Sequence, residues 1–194
     1  MDFGTMVNRM IRAAMLDVSF YEEVEADTTL NQEALMVVIL VSIAGGIGAF
    51  LGGLISGSII GAIVGLIVIV IIGVINYYIW AYVTHFVGTN LFQGTADVGE
   101  MLRTLGYASS PRVLGVLSFI PCIGWLAALV GAVWALVAAI VAVRQALDFD
   151  DTVKAIITVI IGWVIIFIIQ VVLTLIFGTV FGIGMAGLGA LSGS

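Results

Sequence analysis

Two patterns of polar and apolar residues divide the chain. Between Phe3 and Met15, the apolar residues Phe3, Val7, Met10, Ile11 and Ala14 fall on one side of a helix, with Asn8, Arg9 and Arg12 elsewhere. This predicts a short amphipathic helix lying on a membrane surface. Ser19 with Glu22, and Thr29 with Gln32, have the spacing of capping boxes that open helices. From Ala34 onward the second pattern takes over, with long runs that carry no charged residue.

Ala34–Leu54 is uncharged and about 31 Å long as a helix, enough to cross a bilayer core. Small residues from Gly53 to Ser58 predict a tight turn, and Ile59–Ala81 is a second span. It ends in Tyr77, Tyr78, Trp80 and Tyr82, an aromatic belt suited to a membrane interface. A polar stretch from Val87 to Ser110 follows, with Asp97, Glu100 and Arg103. The apolar run Val113–Val143 is too long for one ordinary span and short for two. Pro121 and Gly124 interrupt it, so it is read as a short third helix, 110–120, and a fourth, 125–143. The third can also begin earlier, as a broken continuation of a helix over Val98–Leu105. The fifth span is 154–177, with Asp150 or Asp151 as its cap. Beyond it, the glycine-rich apolar tail 178–194 places Thr174, Gly178, Gly182, Ala186 and Ala190 at every fourth residue. That is either a close-packing helical face or a frayed end.

Charge arbitrates between four and five spans. With five spans and a cytoplasmic amino terminus, Arg9, Arg12, Arg103, Arg112, Arg144 and Lys154 all fall on the cytoplasmic side, as do the acids. A single span over Val113–Val143 would split the basic residues between both sides. The tendency of basic loops to stay inside favours the break at Pro121. The expected fold is therefore all-α: a bundle of five transmembrane helices (34–177) behind an amphipathic cytoplasmic segment (1–33).

Composition narrows the function. The chain is 62% hydrophobic and 9% charged, against about a quarter charged in soluble domains. A net charge of −6 argues against nucleic-acid or anionic-lipid binding driven by overall charge. The single cysteine, Cys122, forms no disulfide framework or thiolate metal cluster. The acidic start does not read as a signal peptide.

The order Arg103, Leu105-Gly106-Tyr107-Ala108-Ser109-Ser110-Pro111, Ile120-Pro121, Trp134, Ala142-Val143-Arg144-Gln145-Ala146 and Lys154-Ala155 resembles the Yip1 domain family of small multispan membrane proteins. Tyr21-Glu22-Glu23-Val24 resembles its prokaryotic-type members, so the resemblance covers about residues 9–177. It implies five spans, an amino terminus in the cytoplasm and residence in a bacterial plasma membrane. Eukaryotic members are linked to Rab-type GTPases. The long cytosolic segment and Asp-Leu-Tyr-Gly-Pro motif that go with that link are missing here, so a Rab-type GTPase partner is not carried over.

The candidate functional surface is Arg103, Tyr107, Pro111, Arg144 and Lys154, a basic cluster able to hold a lipid head group or an acidic partner helix. The plainer reading is that these arginines anchor helices and pair with Glu100, Asp148 or Asp97. Gly131, Ala135 and Ala139 in the fourth span, with Gly178 and Gly182 in the tail, are the expected helix-packing positions. Asn76 and Gln170 are the notable polar residues within spans, and either bond across helices or line a path. His85 lacks companion ligands for a metal, Asp148, Asp150 and Asp151 read as caps, and no nucleophile elbow, P-loop or dinucleotide fingerprint occurs. The sequence thus points to a non-enzymatic scaffold or adaptor without cofactor, partnered by the lipid bilayer and other membrane proteins. An accessory subunit of a respiratory or photosynthetic complex is the alternative. A small transporter or channel comes third, since acids and bases lie toward the ends of the spans and not in their middles.

Overall fold

The computed structural model describes residues 2–55, 57 and 59–192, with side-chain surroundings up to residue 172 and at Leu175. Every regular element among them is helical: α1 (Phe3–Ala14), α2 (Val18–Ala26), a 3-10 turn (Thr28–Leu30), α3 (Asn31–Ile55), α4 (Ile59–Phe92), α5 (Val98–Ala108), a 3-10 segment (Ser110–Phe119), α6 (Gly124–Ala146) and α7 (Thr152–Ser192). Four helical stretches are long and apolar enough to cross a membrane: Thr28–Ile55, Ile59–Phe92, Gly124–Ala146 and Thr152–Val172. The chain is a multi-pass membrane protein.

The region expected as a short third span is the ten-residue 3-10 segment. Pro111 explains the change of helix type. It has no N–H to give the Tyr107 carbonyl, which instead accepts from Ser110 Oγ at 2.6 Å. Ser109, between α5 and this segment, keeps right-handed helical angles. The two elements therefore run on as one broken helix alongside α3. Gly106 lies against Ala34 at the upper end, and Gly48 lies against Gly115 and Ser118 at the lower. A Cβ on Gly48 would sit 2.5 Å from the Gly115 carbonyl oxygen, so glycine is what lets this segment approach α3. The expected break at Pro121 is a turn, with Cys122 at φ 66°.

α4 is 34 residues, about 51 Å, and outruns a bilayer core of about 30 Å. Its first half is lipid-like outside, with Ile60 79% exposed. Past the aromatic belt at residues 77–82 it stays helical to Phe92, beyond the expected end at Ala81. Thr84, Thr89 and Asn90 there bond to carbonyls of the preceding turn. α7 likewise continues as helical backbone through most of the expected tail; the packing of Gly178 and Gly182 lies outside the described side chains.

The packed core sits at one end of the bundle. Phe20, Tyr21, Val24, Met101, Tyr107 and Val143 are fully or nearly buried there, where α1 and α2 fold onto α5 and α6. Charged residues collect at the same end. Two expected caps are corrected. α2 opens on Asp17, which accepts from Phe20 N and Ser19 Oγ, so the helix begins before Ser19. The 3-10 turn opens on Asp27 rather than Thr29, whose N–H and hydroxyl both donate to Asp27. A full capping box, not foreseen, starts α5 at Asp97 and Glu100. Asp151 accepts from Val153 N at the start of α7.

Candidate functional site: the charged cap

The cap is held by two buried charges. α2 ends without a basic residue in its last turn, leaving its terminal carbonyls and the negative end of its dipole unanswered from within. Arg103 answers them from α5. It is 2% exposed; Nε donates to the Val24 carbonyl at 3.0 Å, Nη2 to the Glu25 carbonyl, and Nη1 to Asn31 Oδ1 at 3.2 Å. The planar guanidinium suits this fork of acceptors, which a lysine could not cover. The carboxylates at 97, 100 and 148 are not its hydrogen-bond partners.

Tyr107 lies one turn further along α5 and donates to Glu33 Oε1 at 2.6 Å. Glu33, 4% exposed in the first turn of α3, also accepts from Arg9 Nη1 at 2.9 Å. This network ties α1, α3 and α5 together, and it satisfies a carboxylate that could not be buried alone. Phe20 of α2 meets the Tyr107 ring edge to face, centroids 5.2 Å apart. Arg12 clamps α1 to α2 through Asp17 and Glu23, both at 2.8 Å, and covers the Phe20 ring at 4.8 Å.

Beside the cap opens a polar cavity of about 550 Å³, lined by Glu22, Glu25, Arg144, Gln145, Asp148 and Asp150 among others. Burial, with Asp148, Glu100 and Glu22 nearby, pushes the Glu25 carboxyl up to about 7. Arg144 Nε donates to the Phe149 carbonyl at 3.4 Å; Lys154 is exposed, its Nζ 6.0 Å from the Phe149 ring centroid. His85 Nε2 lies 3.0 Å from the Ala96 carbonyl oxygen and pins the loop before α5. Among the described residues no group of three or more His, Cys, Asp or Glu is placed to hold a metal ion.

The five expected surface residues therefore divide. Arg103, Tyr107 and Pro111 are buried along α5 and the start of the 3-10 segment, while Arg144 and Lys154 stay at the open end. Gly131, Ala135 and Ala139 are buried within this chain. A Cβ on Gly131 would sit 2.8 Å from the Pro111 carbonyl oxygen. Asn76 and Gln170 bond to each other, Nε2 to Oδ1 at 2.7 Å, joining α4 and α7. Residues not singled out from sequence include Glu33, Arg9 and Asn31. An acid immediately before a long apolar run was the available signal for Glu33. Arg112 lies on the 3-10 segment, within the 110–120 stretch expected as the third helix, with its Cα near Gly131.

The Yip1 domain family model matches residues 16–174. No curated protein and no solved structure matches the chain.

Proposed function

The chain belongs to the Yip1 domain family, and from that premise we propose a non-enzymatic membrane scaffold or adaptor that works through its charged end, held in the cytoplasm. Five passages serve this reading: α3, α4, the 3-10 segment, α6 and α7. The third is the shortest: the 3-10 segment is about 20 Å long and runs on from α5, whose charged residues stay in the cap. A passage between Arg103 and Arg144 brings five of the six basic residues to one side, with Arg112 within that passage.

The cap is the observation that supports a scaffold. Arg103 and Glu33 commit their buried charges to fixing α1 and α2, not to a reacting group. The result is a rigid platform with an open cavity, where four carboxylates surround Arg144. A partner segment that fits this opening is basic. The amides of Asn76 and Gln170 satisfy each other, which favours helix packing over transport.

Mild-detergent purification and mass spectrometry of co-purifying chains test the proposal. A partner retained by the wild type and lost in Glu22→Lys/Asp148→Lys supports it. A stoichiometric set of energy-conversion subunits, or liposomes of the pure protein that pass a solute, refutes it.

A further inference from the structure

We propose that the Glu25 carboxyl is a proton-operated latch: protonated, it lets the end of α2 close onto α5 and α6; ionised, it is driven out by facing carboxylates and frees that end. The geometry of the polar cavity carries this. Glu25 is half-buried in the last turn of α2 and lines the cavity. Around it stand Glu22 of the same helix, Glu100 and Arg103 of α5, Arg144 of α6, and Asp148 and Asp150 beyond α6. Asp27, two residues on, accepts from Thr29. The facing acids are satisfied as charged groups. Glu22 accepts from Gln145 Nε2 at 3.0 Å, Asp148 from Thr95 Oγ1 at 2.6 Å, and Glu100 from Asp97 N at 2.7 Å, while Asp150 is exposed. The cations are aimed elsewhere: Arg103 at carbonyls and Asn31, Arg144 Nε at the Phe149 carbonyl. Among the described residues, the Glu25 carboxyl makes no hydrogen bond or ion pair. A charge placed there meets repulsion with no partner to offset it.

One residue couples the proton to the clamp. The Glu25 carbonyl accepts from Arg103 Nη2, so a displacement of residue 25 withdraws an acceptor from the guanidinium fork. The Gln145–Glu22 bond, the tie between α6 and α2 on the same cavity wall, is strained by the same displacement. α2 can swing as a unit, being nine residues between Leu16, at φ 61°, and extended Asp27. Its Phe20, Tyr21 and Val24 are fully buried, so release of its end uncovers apolar surface of the cap. The device is poised near neutral pH, since burial with Asp148, Glu100 and Glu22 nearby pushes the carboxyl up to about 7. An acid raised in the closed state binds its proton more tightly there, so acid closes the latch and base opens it. Water reaches the half-exposed carboxyl and screens part of the repulsion, so the opened population should grow about tenfold across the midpoint. The latch acts on the proposed scaffold's platform but needs no partner.

Hydrogen exchange of the purified full chain in detergent micelles, at a series of pH values from about 5.5 to about 8.5 and corrected for intrinsic exchange chemistry, tests the latch. In the wild type, opening of the amides from Phe20 to Glu25 is expected to rise about tenfold across this range, with Ile59–Ile75 unchanged. Glu25→Gln is expected to stay closed throughout. Asp148→Asn keeps an acceptor for Thr95 but removes a facing charge, and is expected to move the midpoint to lower pH. If Glu25→Gln does not fold, Asp148→Asn decides: an unmoved midpoint overturns the latch. So does a pH response of α2 that survives Glu25→Gln, equal protection of wild-type α2 at both ends of the range, or a rise shared by Ile59–Ile75. No partner is present in the measurement, so none of these outcomes bears on the scaffold reading.

Discussion

Replacing Arg103 with alanine removes the donors from three acceptors at once: the carbonyls of Val24 and Glu25 and the side-chain oxygen of Asn31. Each acceptor left dry costs about 1–3 kcal/mol. Water entering the space left by the side chain recovers part of this, and the buried guanidinium's own desolvation penalty disappears. The net loss falls near the lower end of the ~3–5 kcal/mol typical of breaking a buried charged contact. It is local, because the acceptors belong to the end of α2 and the start of α3 while the membrane half of α4 touches none of them. A cost of about 3 kcal/mol raises the population of the opened cap about a hundredfold. Hydrogen exchange in detergent micelles reads this directly. The amides of α2 should exchange about a hundredfold faster in Arg103→Ala, with Ile59–Ile75 unchanged. Arg103→Lys should recover only part of the protection, since an ammonium cannot span the fork. Protection of α2 in Arg103→Ala within threefold of wild type would refute the assignment of Arg103 as the clamp.

Four further outcomes follow from the same geometry. Glu25 is raised to about 7 from an ordinary 4.5, so its carboxyl holds its proton better folded than unfolded. Its cost is therefore absent below about pH 4.5, grows through the interval and is complete above about pH 7. Glu25→Gln should stabilise the protein by about 1–2 kcal/mol at pH 8, after allowance for solvent screening, and by nothing at pH 4; equal effects at both pH values would contradict this. A double-mutant cycle of Asn76→Ala and Gln170→Ala in unfolding titrations should give a coupling of about 0.6–1.7 kcal/mol, and zero coupling would dissolve the pair. Gly131→Val drives a side chain into the Pro111 carbonyl and should lower stability by about 1–3 kcal/mol, read as a fall in melting temperature. Under the five-passage reading, the turn at Cys122 faces outward, so an impermeant maleimide should label it in intact cells; labelling only after permeabilisation would sink that topology.

The long apolar runs were legible because lipid offers the backbone no hydrogen bonds, which forces uninterrupted helices about twenty residues long. The break at Pro121 was legible for a related reason, since proline and glycine act on their own neighbours whatever the fold. Asp97 and Glu100 spelled a capping box at three-residue spacing and were readable in principle by the same local rule.

Arg103 was visible as a candidate, but its role was not. Its acceptors lie as far as 79 residues away, and two of them are backbone carbonyls that any sequence would supply. Which charges are consumed in the cap, as at Arg9 and Glu33, and which carboxyl is left unpaired, as at Glu25, depends on how α1 and α2 fold back onto α5 and α6. Local pattern determined what must enter the membrane and where the chain must turn. Only the packed structure decided where each polar group finds its partner, because burial and pairing are set by elements distant in sequence that meet only in the fold.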